Sequence, residues 1–335
     1  MDTPKWRRLN QKGATVSACT LSAMRRIALL AALVTSAVVV GSQLASGHSL
    51  PSAKRCPIFP ANNQWNMRVD NLPVASNSST LVRTIGADNG VHADFGSGTY
   101  GGGPIGIPYT TVSSHQPKVR VKFDYSDESN RGPYPIPRNV PIEGGRQSDG
   151  DRHAIIVDRS KCKLYELYAL YPPSGGHGWT AGSGAIWNLK SNKLRPSGWT
   201  SADAAGLPIL PGLARYDEVK RGSIDHALRF TVPRTRKAFI YPARHFASSD
   251  DDPALPAMGQ RFRLKKSFDT SRFPRQARIV LEALKKYGMI LADNGSSWYI
   301  SGAPNRGWNN DDLHTLGQVR GSDFEAVDTS SLPRP

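Results

Sequence analysis

Punctuation limits this chain more than any other feature. Its 335 residues carry 31 glycines and 25 prolines, spread along the whole length with only short apolar runs between them. Proline removes a backbone donor and glycine surrenders more chain entropy on ordering, so long helices and long central strands do not survive that spacing. The pattern predicts a mainly-β, β-sandwich-like domain of jelly-roll type, with short strands, structured loops and a few peripheral helices.

One stretch stands outside that pattern. Arg25 and Arg26 precede an apolar run from Ile27 to Val40, followed by the small-residue exit Ser42–Gly47. A basic head, an apolar centre and a small-residue exit are the signature of a secretory signal peptide, here spanning about 24–47. The run is shorter than the ~20 residues of a membrane span. Cleavage near Ala45–Ser49 releases a secreted, extracellular protein; left uncleaved, the segment is an anchor and the chain's route to a membrane. Residues 1–23 are then a long n-region, or upstream sequence if translation starts at Met24. The expected organisation is 1–47 as extension and signal peptide, 48–60 as an extended lead-in, 61–328 as one globular domain and 329–335 as a tail.

With Cys19 set aside, Cys56 and Cys162 remain. An even count in an oxidising compartment predicts one disulfide, the alternative being two buried thiols. No cysteine cluster offers a metal site, and no cofactor or metal is expected. Walker A, HExxH, EF-hand and GxSxG motifs are absent. Gly96, Gly98 and Gly101 match GxGxxG, but Pro104 and Pro108 forbid the helix that should receive a pyrophosphate, so the segment reads as a loop. The formal net charge is +16, and +11 once residues 1–47 are removed, which either favours anionic partners or serves solubility. Its basic residues are dispersed without an arginine-rich tail, which argues against nucleic acid and for a polysaccharide or anionic cell-envelope polymer.

Alternation predicts a strand over Val119–Tyr125, and His153–Asp158 with Lys163–Tyr171 reads as a hairpin. Further strands are expected at 184–189, 227–232, 237–241, 260–266, 289–293 and 298–301. Apolar positions 277, 280, 281, 284 and 287 predict a helix over 275–287, ended by Gly288. A weaker helix is expected over 309–318, with Asp311 and Asp312 in its first turn.

Candidate chemistry concentrates between His153 and His245. Alternation sets Glu166 beside Leu164 and Tyr168, where a carboxylate is costly unless paired or raised in pKa, and a raised pKa suits a general acid. The plainer alternative is an edge-strand Glu facing solvent or an arginine. Asp203, behind the candidate cap Ser201, is either the complement of a helix N-terminus or a second carboxylate. His226 is a candidate proton shuttle or a core histidine, and Arg229, on the opposite strand face, a candidate carboxylate or phosphate binder. His153 and His245 complete a candidate histidine cluster. Trp179, Trp199 and Trp298 sit among glycine, serine and asparagine, which suits stacking on sugar rings, although core anchoring is the commoner use of any one tryptophan.

The strings Gly206-Leu207-Pro208-Ile209-Leu210-Pro211-Gly212-Leu213 and Tyr287-Gly288-Met289-Ile290-Leu291-Ala292-Asp293-Asn294-Gly295-Ser296 resemble those of a family of secreted bacterial proteins of largely uncharacterised function. The resemblance runs from about Cys56 to Asp328. It implies an exported single-unit protein and brings no catalytic assignment. The residues themselves lead to the expectation of a glycoside hydrolase, with Glu166 as acid and Asp203 as nucleophile or base. The alternatives are a non-catalytic protein that binds cell wall or anionic glycan, and a uronate lyase using His226 and Arg229.

Overall fold

A computed structural model describes residues 48–175 and 178–334; the expected signal segment and Cys19 lie outside them. The described residues belong to one compact unit. Its early strands are β1 (His92–Asp94), β2 (Thr99–Tyr100), β3 (Gly103–Pro104), β4 (Tyr109–Val112) and β5 (Val121–Phe123). The middle of the chain forms β6 (Ala154–Asp158), β7 (Lys163–Tyr168), β8 (Trp179–Ala181) and β9 (Ser183–Asn188). The last third forms β10 (Leu228–Val232), β11 (Arg261–Leu264), β12 (Met289–Asn294), β13 (Tyr299–Ser301) and β14 (Phe324–Ala326). Among the described residues four α-helices accompany them: α1 (Ser78–Ile85), α2 (Tyr216–Arg221), α3 (Arg275–Lys286) and α4 (Asn310–His314).

Two sheets dominate. One has six strands in the order β1-β13-β10-β12-β11-β14, and the other four, β4-β6-β7-β9. The protein is therefore mainly β with open sheets. A jelly roll is built of antiparallel strands, whereas here β1/β13, β10/β12, β4/β6 and β5/β8 run parallel. Parallel neighbours need a long crossover, and the β10-to-β12 connection supplies one that holds β11 and α3.

The run Ala154-Ile155-Ile156-Val157 has no polar alternation because the four-stranded sheet is covered on both faces. Ile155, Val157, Leu164 and Trp187 pack into one apolar cluster, and Ala154, Ile156, Tyr165 and Leu167 into another. The β6–β7 hairpin pairs as expected, Ala154 opposite Leu167 through Asp158 opposite Lys163. A third cluster joins the six-stranded sheet to the apolar face of α3, where Ala277, Val280, Leu281 and Leu284 are buried. The α3 helix stops at Gly288, whose φ is +67° and where a Cβ would come within 2.2 Å of the Phe262 carbonyl, so a side chain is excluded.

The weaker helix forms as α4, with the Asn309 side chain accepting from the Asp311 and Asp312 amides, and continues as a 3-10 turn over Thr315–Gln318. The expected strand at 237–241, flanked by Pro233 and Pro242, makes only the single bridge Phe239–Met258. Cys56 and Cys162 are joined. Residues 48–60 do more than lead in: Leu50, Ala53, Ile58 and Phe59 are buried with the four-stranded sheet. Leu332 of the tail is also buried, against Val69 and Val327. Among the described residues, no helix is long and apolar enough to cross a membrane.

Candidate functional site

The two sheets meet around a buried guanidinium. Arg229 projects from β10, and its Nε and Nη2 donate to both carboxylate oxygens of Asp203 at 2.8 and 2.9 Å. Nη2 also donates to Asp293 Oδ2 at 2.9 Å, and Nη1 to Ser301 Oγ at 2.6 Å. Burial opposes the charge on Arg229, but Asp203 and then Asp293 outweigh it and raise the pKa. Two carboxylates thus share one nitrogen, their oxygens no farther apart than two such bonds laid end to end.

Asp293 reaches this position through a bulge. The β10–β12 register runs Phe230 opposite Leu291, then Thr231 opposite Asp293, with Ala292 left over. Continued alternation would point Asp293 with Leu291 toward the core; the extra residue turns it to the side of Arg229. Its side chain keeps 22% exposure. Burial, and next the Asp203 charge, push its carboxyl up to about 7 against the pull of Arg229.

Asp203 sits in the loop after β9. Ser201 Oγ accepts from the Asp203 amide at 2.9 Å and lies 2.6 Å from the Leu207 carbonyl, closing a polar turn where a helix cap was expected. Gly206, at φ +67°, lies so close to the Trp199 carbonyl that a Cβ would approach it to 2.5 Å. The amide of Ala205 donates to the Ala292 carbonyl, tying the loop to β12.

His153, at the start of β6, extends the network. Its Nε2 bonds the Ala202 carbonyl at 2.8 Å and its Nδ1 the Glu143 carboxylate at 2.5 Å. Both partners are acceptors, so both nitrogens donate and the ring is an imidazolium. Burial opposes that charge, but Glu143 raises the His153 pKa to about 9. Burial likewise opposes ionisation of Glu143, and the His153 charge overcomes it to hold Glu143 below its usual range.

A cleft of about 360 Å³ opens over this floor. Asp203, Asp293, Asp151, Glu128, Tyr125, Tyr168 and His245 line it, and no lysine or arginine among the described residues does. Tyr125 is 55% exposed. His245 Nδ1 bonds the Ala204 carbonyl at 2.8 Å. Donor atoms of Glu143, Asp151 and His153 lie within 4.8 Å of one another, a spacing that suits a cation. The imidazolium His153, with both nitrogens donating, has no lone pair to give one.

The other expected site residues go elsewhere. Glu166 is fully buried, with Ile209 N and Leu210 N donating to its carboxylate at 2.9 to 3.0 Å and Trp187 Nε1 at 3.3 Å. Burial pushes it up to about 7, against the Leu210 and Ile209 donors. Its carboxylate holds the turn Leu210–Gly212, and it does not line the cleft. His226 bonds Glu218 at 3.0 Å beside Arg215, and its other nitrogen bonds the Ala227 carbonyl, so it belongs to a separate buried cluster. Arg229 has its donors engaged by Asp203, Asp293 and Ser301 and does not reach out to a ligand. Trp298 is 0% exposed, stacked between Phe230 and Phe324, a core residue. Trp179 is half-buried in β8, packed beside the Tyr134 cluster. Trp199 is half-buried near the cleft, with the Arg195 guanidinium 5.4 Å from its ring.

Sequence reasoning passed over Asp293, Asp151 and Glu143. The available signal was the polar pair Asp293-Asn294 ending the apolar strand Met289–Ala292. No protein-family model, curated protein or solved structure matches this chain.

Proposed function

We propose that this is a secreted glycoside hydrolase acting on an extracellular polysaccharide, with Asp293 as its proton donor. The observation that carries the reading is Asp293 itself: partly open to the cleft, held by Arg229 and raised to about 7, so that it is protonated in mildly acidic to neutral water. Asp151, exposed in the same cleft, is the second carboxylate. In the reaction Asp293 gives its proton to the glycosidic oxygen as the C–O bond breaks. A water then delivers hydroxide to the anomeric carbon and its proton to Asp151. Tyr125 and Tyr168 offer ring faces to the sugar. The cleft is acidic within a basic protein, which supports a neutral polysaccharide over a polyanion as substrate. The disulfide supports an oxidising, extracellular setting.

Reducing-end release from neutral and acidic polysaccharides, by the chain starting at His48, tests the reading. Asp293→Asn is expected to abolish release, and kcat/KM of the wild type to fall above pH 7. A fully active Asp293→Asn protein would remove the assignment. A second reading, non-catalytic retention on an anionic cell-envelope polymer, is supported by the net charge of +11 carried by the residues from His48 onward. It requires salt-sensitive binding without release.

A further inference from the structure

A second cavity, of about 460 Å³, opens at the β1–β13 edge of the six-stranded sheet. Its wall is an aromatic pair: His92 and Tyr299 are register partners on parallel strands, their rings stacked with centroids 4.2 Å apart and 27° between planes. Tyr100 lines the same cavity and is 85% exposed. It stands on the β2–β3 hairpin, whose turn residues Gly101 and Gly102 have positive φ and open space where a side chain would be. Asn310 fixes the hairpin's base through three hydrogen bonds with Ser97, so the hairpin is held in place while its tyrosine packs on nothing. Its ring face is therefore open to a ligand in the cavity.

The cavity lies on the face of the six-stranded sheet that carries the Ser301 side chain. Asp94 lines it and is the register partner of Ser301, the residue whose hydroxyl accepts from Arg229. In the order β1-β13-β10-β12 the cavity edge at β1 stands three strand spacings, roughly 14 Å, from Asp293 on β12.

We propose that this cavity is a distal sugar subsite, in which Tyr100 and the His92–Tyr299 pair receive a pyranose ring of the same polysaccharide chain. The proposal rests on the glycan reading above. Aromatic faces suit sugar rings because their apolar C–H faces stack while the hydroxyls reach His314, Asp94 and water.

The test uses Asp293→Asn protein, with and without Tyr100→Ala, titrated with cellohexaose, chitohexaose and the matching trisaccharides. Tyr100 is exposed and touches no core residue, so its replacement leaves the fold intact. The expected result is that the preference for hexasaccharide over trisaccharide falls about tenfold on loss of Tyr100. An unchanged preference, or no binding of any of the four sugars, overturns the subsite. Turnover by the wild type is scored separately. Tyr100-dependent hexasaccharide binding without any turnover removes the hydrolase reading and keeps the subsite. Turnover with a Tyr100-independent preference does the reverse.

Discussion

Replacing Glu166 with glutamine separates a buried scaffold carboxylate from a reacting one. At pH 8, above its value of about 7, Glu166 is ionised and accepts from Ile209 N, Leu210 N and Trp187 Nε1. Glutamine keeps the volume but offers one acceptor oxygen and an NH2 group. If the oxygen keeps Ile209 and Leu210, the NH2 faces the indole N–H, and two buried donors are left without an acceptor. Two unsatisfied buried donors cost about 1–3 kcal/mol each, and relief of a buried charge whose pKa folding raises from 4.5 to about 7 returns about 3 kcal/mol at pH 8, so the variant should lose about 1 kcal/mol. Urea unfolding at pH 8 reads this as a lower midpoint at unchanged slope. Reducing-end release by the folded variant should persist. An unchanged midpoint together with abolished turnover would refute the scaffold role and restore Glu166 as a reacting group.

Asp203→Ala leaves the buried Arg229 with Asp293 as its remaining carboxylate and should cost about 3–5 kcal/mol by urea unfolding; a loss under about 1 kcal/mol would contradict the pairing. His153 titrates near 9 when folded and near 6.5 when unfolded, so its contribution is complete below the lower value and lost as pH rises through the higher. Between pH 6 and pH 10 it amounts to about 3 kcal/mol. His153→Gln should shrink the alkaline destabilisation by that amount, and an equal loss in both proteins would count against the ion pair. The Cys56–Cys162 bond spans 106 residues of sequence. Converting both cysteines to serine should cost about 4 kcal/mol, read in the same unfolding assay, and a change near zero would show that the cross-link adds nothing.

Local pattern determined much of this protein. The α3 helix follows from a period of 3.6, and the β6–β7 hairpin and strands β9 to β13 follow from short apolar runs bounded by turn residues, because those choices rest on neighbours along the chain. Cysteine parity foretold the disulfide. Segment 237–241 had a strand-like composition but no neighbour to pair with along its length, and pairing is a tertiary property.

The cleft was only half legible. Asp203 and His245 were picked out as titratable residues in a dense region, and both line it. Glu166 looked costly in its strand, and it is; yet alternation reports a face and cannot report that backbone amides forty residues later will supply the donors. For His226 the sequence left proton shuttle and core histidine both open, and for Arg229 it suggested a carboxylate or phosphate without naming it; the partners, Glu218 for one and Asp203 and Asp293 for the other, are chosen by packing. Trp298 sits in a glycine- and serine-rich string but turns inward between two phenylalanines. Asp293 depends on one surplus residue in β12, which reverses the face a simple alternation assigns. Sequence determined which segments become strands and helices, because those choices rest on neighbours along the chain. Only the tertiary structure decided which charges meet, because a guanidinium and two carboxylates from β10, β12 and a loop share a site through a register that no local pattern encodes.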